Sequence, residues 1–190
     1  SFNDPGAGRV AIALIAHPHP LHGGTKDNKV VTSLARVLFA LGGVAIRPNF
    51  RGVGESAGTY DEGHGETEDL IAVLGWARAR FGALPLVLAG FSFGSFVQTR
   101  VARRPEAAGS RLVLVGAAVG RFPAETVPPD TLVIHGEQDD VVPLADVFEW
   151  ARPQGLPVTV IPGGGHFFHG RLDVLQRIVR QHFQADSLGA

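Results

Sequence analysis

Leu86-Val87-Leu88-Ala89-Gly90-Phe91-Ser92-Phe93-Gly94-Ser95-Phe96-Val97-Gln98 is the stretch on which the reading of this chain turns. The aliphatic run up to Ala89 reads as a buried strand, and the residues after Ser92 have helical character. Between them stands Gly-x-Ser-x-Gly, with Gly90 and Gly94 two residues either side of Ser92. In a strand–turn–helix, such glycines let strand and helix close on one another with no side chain between them. The sharp turn then lifts the serine hydroxyl into the open. The helix that follows aims its positive N-terminal end at any negative charge developing near that hydroxyl. The five-residue pattern alone is weak, and the strand before and helix after it supply its weight.

The same alternation continues outward in both directions. Segments 10–16, 44–49, 86–90, 112–115, 131–135 and 158–161 are near-continuous apolar runs, as in parallel strands covered on both faces. Segments 28–41, 67–81, 92–103, 146–151 and 171–184 have helical spacing between and after them. Strand–helix alternation of this kind predicts an α/β fold with a mostly parallel, doubly wound sheet of about six strands. Ligands of such sheets bind beyond the C-terminal ends of the strands.

A length of 190 residues, 45% of them hydrophobic, is enough for one sizeable core, so residues 1–190 are expected to form a single domain. The net charge of -1 and the lack of a basic run leave no electrostatic footprint for nucleic acid. The longest aliphatic stretches, 10–16 and 112–120, are too short to cross a bilayer, and no membrane association is expected. Cysteine is absent, which excludes disulfides, thiolate metal sites and a cysteine nucleophile. No signal peptide is visible, and a cytoplasmic location is expected. Oligomeric state has no signature in the sequence.

A serine nucleophile needs a base, and the base needs an orienting carboxylate. Segment 131–135 runs into Gly136-Glu137-Gln138-Asp139-Asp140, which puts carboxylates just past a strand end. Segment 158–161 runs into Pro162-Gly163-Gly164-Gly165-His166-Phe167-Phe168-His169, which puts a histidine at the next one. The chain order becomes Ser92, Asp139, His166, with Asp140 and His169 as rivals. The glycines before His166 favour it, because they permit a close approach. After the first core strand come His17-Pro18-His19-Pro20-Leu21-His22. Pro18 and Pro20 carry no N–H, so the candidate donors are the amides of His19, Leu21 and His22, joined by that of Phe93; His19 with Phe93 is the favoured oxyanion hole. A metal site from His17, His19 and His22 is the competing reading; the loop offers no acidic ligand, and no metal is expected. Gly52-Val53-Gly54-Glu55-Ser56-Ala57 nearly matches a dinucleotide fingerprint, but loop residues rather than a helix follow it, so it reads as a tight turn near the site rim.

Taken together, the motifs at 17–25, 27–31, 49–56, 90–94, 135–139 and 166–170 resemble the compact bacterial α/β-hydrolases related to dienelactone hydrolase and small carboxylesterases. The resemblance runs from about Val10 to Phe183. It implies the α/β-hydrolase fold, a nucleophile at Ser92, an acid at Asp139, a base at His166, and ester hydrolysis without a cofactor. Two departures stand out. Such proteins usually begin with an N-terminal β-hairpin, which here is expected to be trimmed or missing. Dienelactone hydrolases proper use a cysteine nucleophile, which this chain lacks.

Residues 120–130, rich in proline, are too few to build a helical lid. An open site lined by Phe91, Phe167 and Phe168 then suits small or short-chain esters. Peptide or thioester cleavage on the same triad, and a catalytically silent ligand-binding protein, are the alternatives.

Overall fold

The computed structural model describes residues 1–185. Seven strands form one sheet: β1 (Phe2–Asn3), β2 (Ala11–Ala16), β3 (Gly43–Ile46), β4 (Leu86–Phe91), β5 (Arg111–Val115), β6 (Leu132–Gly136) and β7 (Val158–Ile161). Their spatial order is β1-β3-β2-β4-β5-β6-β7. All pairs are parallel except β1–β3. Five α-helices connect and flank them: α1 (Lys29–Ala40), α2 (His64–Phe81), α3 (Phe93–Ala102), α4 (Leu144–Ala151) and α5 (Leu172–Ala185).

The inner strands are mostly apolar because each face of the sheet has its own layer of helices. Ile12, Leu14 and Ala16 of β2 pack with Leu70 and Leu74 of α2 and with Phe96 and Val97 of α3. Ala13 and Ile15, on the other face, pack with Val30, Val31 and Leu34 of α1 and with Leu175 and Val179 of α5. The period-two alternation of a strand thus feeds two cores at once.

Besides earlier starts for α2 and α4, at His64 and Leu144, two features of the sheet differ from the sequence expectation. β3 ends at Ile46 rather than Asn49, short of Pro48, which has no N–H to continue a ladder. A seventh strand, β1, pairs antiparallel with β3 through Phe2↔Ile46 and Asn3↔Ala45. It is two residues long and carries no alternation, so no periodicity marks it. Its anchor is tertiary: the Phe2 ring meets the edges of Trp76 and Phe81, each with centroids 5.6 Å apart.

The segment between β5 and β6 forms turns and no helix, so nothing caps the C-terminal end of the sheet from there. Among the described residues, no helix is long and apolar enough to cross a membrane.

Candidate active site

Ser92 sits between β4 and α3 with φ 55° and ψ -119°, a conformation that side-chain-bearing residues rarely adopt. The flanking glycines explain how the turn closes. A Cβ on Gly90 would lie 2.5 Å from the Gly94 carbonyl oxygen, and one on Gly94 would lie 2.4 Å from that of Ala16. The turn is held by the Ser92 N–H, which donates to the Val115 carbonyl at 2.9 Å. Ser95 Oγ donates to the Gly90 carbonyl at 2.7 Å, and the Gln98 side-chain amide donates to the carbonyls of Leu14 (2.8 Å) and Ala89 (3.0 Å). Ser95 and Gln98 are fully buried. Their part in holding the elbow was not visible in sequence, where they look like ordinary helix residues.

Three side chains from three strand ends meet here. His166 Nε2 lies 3.1 Å from Ser92 Oγ, and His166 Nδ1 lies 2.7 Å from Asp139 Oδ2. Ser92, Asp139 and His166 are only 7%, 8% and 3% exposed. Asp140 and His169 are exposed and take no part in this chain of contacts. The other Asp139 oxygen accepts from the N–H groups of Val141 (3.0 Å) and Val142 (2.7 Å). Burial works to raise the Asp139 carboxyl, but the hydrogen bonds from His166 and Val142 outweigh it, and the group stays below the usual carboxylate range. The acid and histidine loops are stitched together by Glu137 N–H to the Ile161 carbonyl (3.1 Å) and Gln138 N–H to the Gly164 carbonyl (2.8 Å). A Cβ on Gly136 would fall 2.3 Å from the Gly164 oxygen, which is why small residues recur there.

His19 lies in the loop after β2 and Phe93 at the start of α3. Among the described residues, neither the His19 nor the Phe93 N–H has a hydrogen-bond acceptor. The two residues are neighbours, with ring centroids 5.0 Å apart. His17 has a different role. Its Nδ1 donates to the Pro18 carbonyl at 2.6 Å, and its Nε2 accepts the Phe50 N–H at 2.9 Å. Burial pushes this imidazole down to about 4, so it is neutral. With both nitrogens engaged, His17 is a pin between two loops and has no lone pair for a metal.

The phenylalanine assignment needs correcting. Phe91 and Phe168 are both 0% exposed and belong to the apolar layer under α1 and α5. Phe91 supports the His166 ring from behind, with centroids 4.9 Å apart, and so cannot line an accessible surface. Phe167 is 44% exposed and stands edge-on to His166 at 5.1 Å. Two unanticipated aromatic residues flank the other side: Tyr60 (4.7 Å from the His19 ring) and Phe122 (5.1 Å from Phe93). Each sits in a loop without apolar periodicity, so no sequence signal pointed to it. None of the three central residues lines the open depression of about 530 Å³ formed by residues such as Thr25, Asn49 and Glu55.

A Ser–His–Asp hydrogen-bonded chain on the C-terminal rim of a doubly wound sheet, with the serine on a glycine-flanked elbow, defines an α/β serine hydrolase. Residues 19–130 match the family model described as serine aminopeptidase, S33, and the chain belongs to this family of α/β serine hydrolases. It is similar to an α/β serine hydrolase homologue from Coxiella burnetii, with 40% identity over 95% of this chain and 88% of that one and a TM-score of 0.86. It also resembles a serine hydrolase without a lid from Xanthomonas campestris, with 37% identity, 100% and 88% of the two chains covered and a TM-score of 0.87. The lysophosphatidylserine lipase of Rattus norvegicus is 38% identical over 81% of this chain, which spans only 35% of that longer protein.

Proposed function

We propose that the protein hydrolyses small, short-chain carboxylic esters through an acyl-enzyme on Ser92. The observation that carries this reading is the continuous path from Ser92 Oγ through His166 to Asp139. His166 Nε2 takes the serine proton as Oγ attacks the ester carbonyl carbon. Asp139 keeps the remaining proton on Nδ1 and stabilises the imidazolium that forms. The His19 and Phe93 amides receive the negative charge on the carbonyl oxygen. Collapse of the tetrahedral adduct breaks the ester bond, and the alcohol leaves with the proton from His166. Water, deprotonated by His166, then releases the acid. No step requires a cofactor.

Two observations favour an ester over a peptide with a free amino terminus. An aminopeptidase must neutralise an ammonium beside the scissile bond, whereas the carboxylate acting on His19 is Glu66. Glu66 is fully buried and accepts from the Asp61 and Gly63 N–H groups, both at 2.9 Å. With both oxygens engaged and no exposed surface, Glu66 is poorly placed to receive a substrate ammonium. The relatives that bear the name lysophosphatidylserine lipase act on an ester by that name, which agrees with the same choice. Phe167, Tyr60 and Phe122 are the proposed walls for the substrate.

The test is turnover across a panel of aryl esters, thioesters and aminoacyl amides, with labelling by a fluorophosphonate. The expected outcome is preference for short acyl esters and a single label on Ser92. Ser92→Ala should abolish labelling and lower kcat by about 10⁴- to 10⁶-fold. Faster cleavage of the amides would replace the ester reading with a peptidase, and unchanged turnover in Ser92→Ala would remove the mechanism.

A further inference from the structure

His135, the penultimate residue of β6, is fully buried directly beneath the acid loop. Its Nε2 lies 2.9 Å from the Val142 carbonyl oxygen and 3.3 Å from Asp139 Oδ2. A carbonyl oxygen can only accept, so the Nε2 must carry the proton. That N–H is donated to the Val142 carbonyl, and its positive end stands 3.3 Å from the carboxylate oxygen that faces His166, an electrostatic contact rather than a hydrogen bond. The geometry also closes on itself. Val142 receives His135 on its carbonyl and gives its own N–H to Asp139 Oδ1 at 2.7 Å, so one short arch of chain links the His135 ring to the carboxylate that it stands beside.

The other nitrogen adds a second observation. His135 Nδ1 is buried with no hydrogen-bond partner among the described residues. A bare buried acceptor is destabilising, and an aromatic hydrocarbon of the same size would avoid it. Packing alone therefore gives no reason for a histidine at this place, and the Nε2 side supplies one. Burial holds the imidazole below its ordinary range, and the charges acting on it are those of Asp139 and His166. It is neutral and acts as a dipole.

We propose that His135 is a positioning residue for the acid–base pair: its Nε2–H fixes which Asp139 oxygen faces His166 and draws off part of the carboxylate charge that His166 would otherwise feel. The proposal rests on the reading of Ser92, His166 and Asp139 as the catalytic residues. Without the N–H dipole beside it, Asp139 is freer to rotate, and it binds an imidazolium at His166 more tightly.

The test compares wild type, His135→Phe and His135→Gln. Phenylalanine keeps the ring and loses the donor, whereas the glutamine amide reaches about as far as Nε2. In His135→Phe, kcat per phosphonate-titrated site should fall about ten- to a hundredfold with KM unchanged. The acidic limb of kcat/KM should move to higher pH, because His166 stays protonated longer as pH rises. His135→Gln should restore both. A His135→Phe enzyme with wild-type kcat and an unmoved limb would overturn the proposal. So would equal losses in both variants that track only the folded fraction. The midpoint of the His166 imidazole titration, followed by NMR, reads the same effect without turnover. If the wild type cleaves no ester, the proposed function fails, and an upward shift in His135→Phe that His135→Gln reverses still supports the positioning role. An unshifted midpoint overturns it.

Discussion

Asp139 and Asp140 are adjacent in the chain and opposite in environment. One is buried with three hydrogen bonds on its carboxylate, and the other is exposed. Asp139→Asn removes the charge that keeps His166 in the working tautomer, and kcat should fall about 10⁴-fold, as for the equivalent change in serine proteases. Asp140→Asn should leave kcat unchanged. Steady-state kinetics on the two variants checks this directly, and a crippled Asp140→Asn would move the acid role to its neighbour. At this scale the sequence shows which side chains meet better than what supports them. Ser92, Asp139 and His166 were readable because each directly follows a strand or lies in the loop after one, where a doubly wound sheet opens. Phe91 and Phe168 were misread because a phenylalanine beside a motif looks the same whether it faces the substrate or the core. His135 carries no mark of its own in the sequence, since its contact with Asp139 depends on a loop that folds back over its own strand.

Among the elements, the loop after β2 is pinned at its start by a buried imidazole. His17 ties that loop to the one after β3 through the Phe50 N–H. Its value falls from 6.5 in the open chain to about 4 when folded, because burial disfavours its charged form. The unfolded chain therefore binds a proton that the folded chain refuses between those two values. Stability from this residue is complete above about pH 6.5 and is lost as pH falls toward 4, by up to ~3 kcal/mol. Thermal unfolding between pH 4 and 7 should show a declining Tm on the acid side. His17→Phe should lower Tm at neutral pH and flatten that decline, whereas an unchanged slope would assign the acid sensitivity to other groups. The principal helices and strands were legible from their apolar runs. β1 was not, because two residues held by Phe2 against Trp76 and Phe81 leave no periodic trace.

For the molecule as a whole, seven strands and their helices place the triad on an uncovered rim, with the turns between β5 and β6 standing where a lid would insert. A site without a lid has no interface-dependent opening step. Rates on soluble esters should therefore rise hyperbolically with concentration and show no jump when the substrate begins to form micelles. kcat/KM should decline as the acyl chain grows beyond the reach of Phe167, Tyr60 and Phe122. A series of p-nitrophenyl esters of increasing chain length, each taken through its critical micelle concentration, measures both. A sharp gain on aggregation would mean that part of the molecule closes over Ser92.

The turns after β5 also bear on how such a core acquires new specificity. Both ends are fixed, since Val113 pairs with Leu132 and Val115 with Ile134 across the sheet. Extra chain inserted between Arg121 and Asp130 would leave that pairing in place, and its closure entropy would grow only slowly with length. The segment thus works as a socket: helices added there would hang over Ser92 and sort substrates by size, while the elbow, the acid loop and the histidine loop kept their geometry.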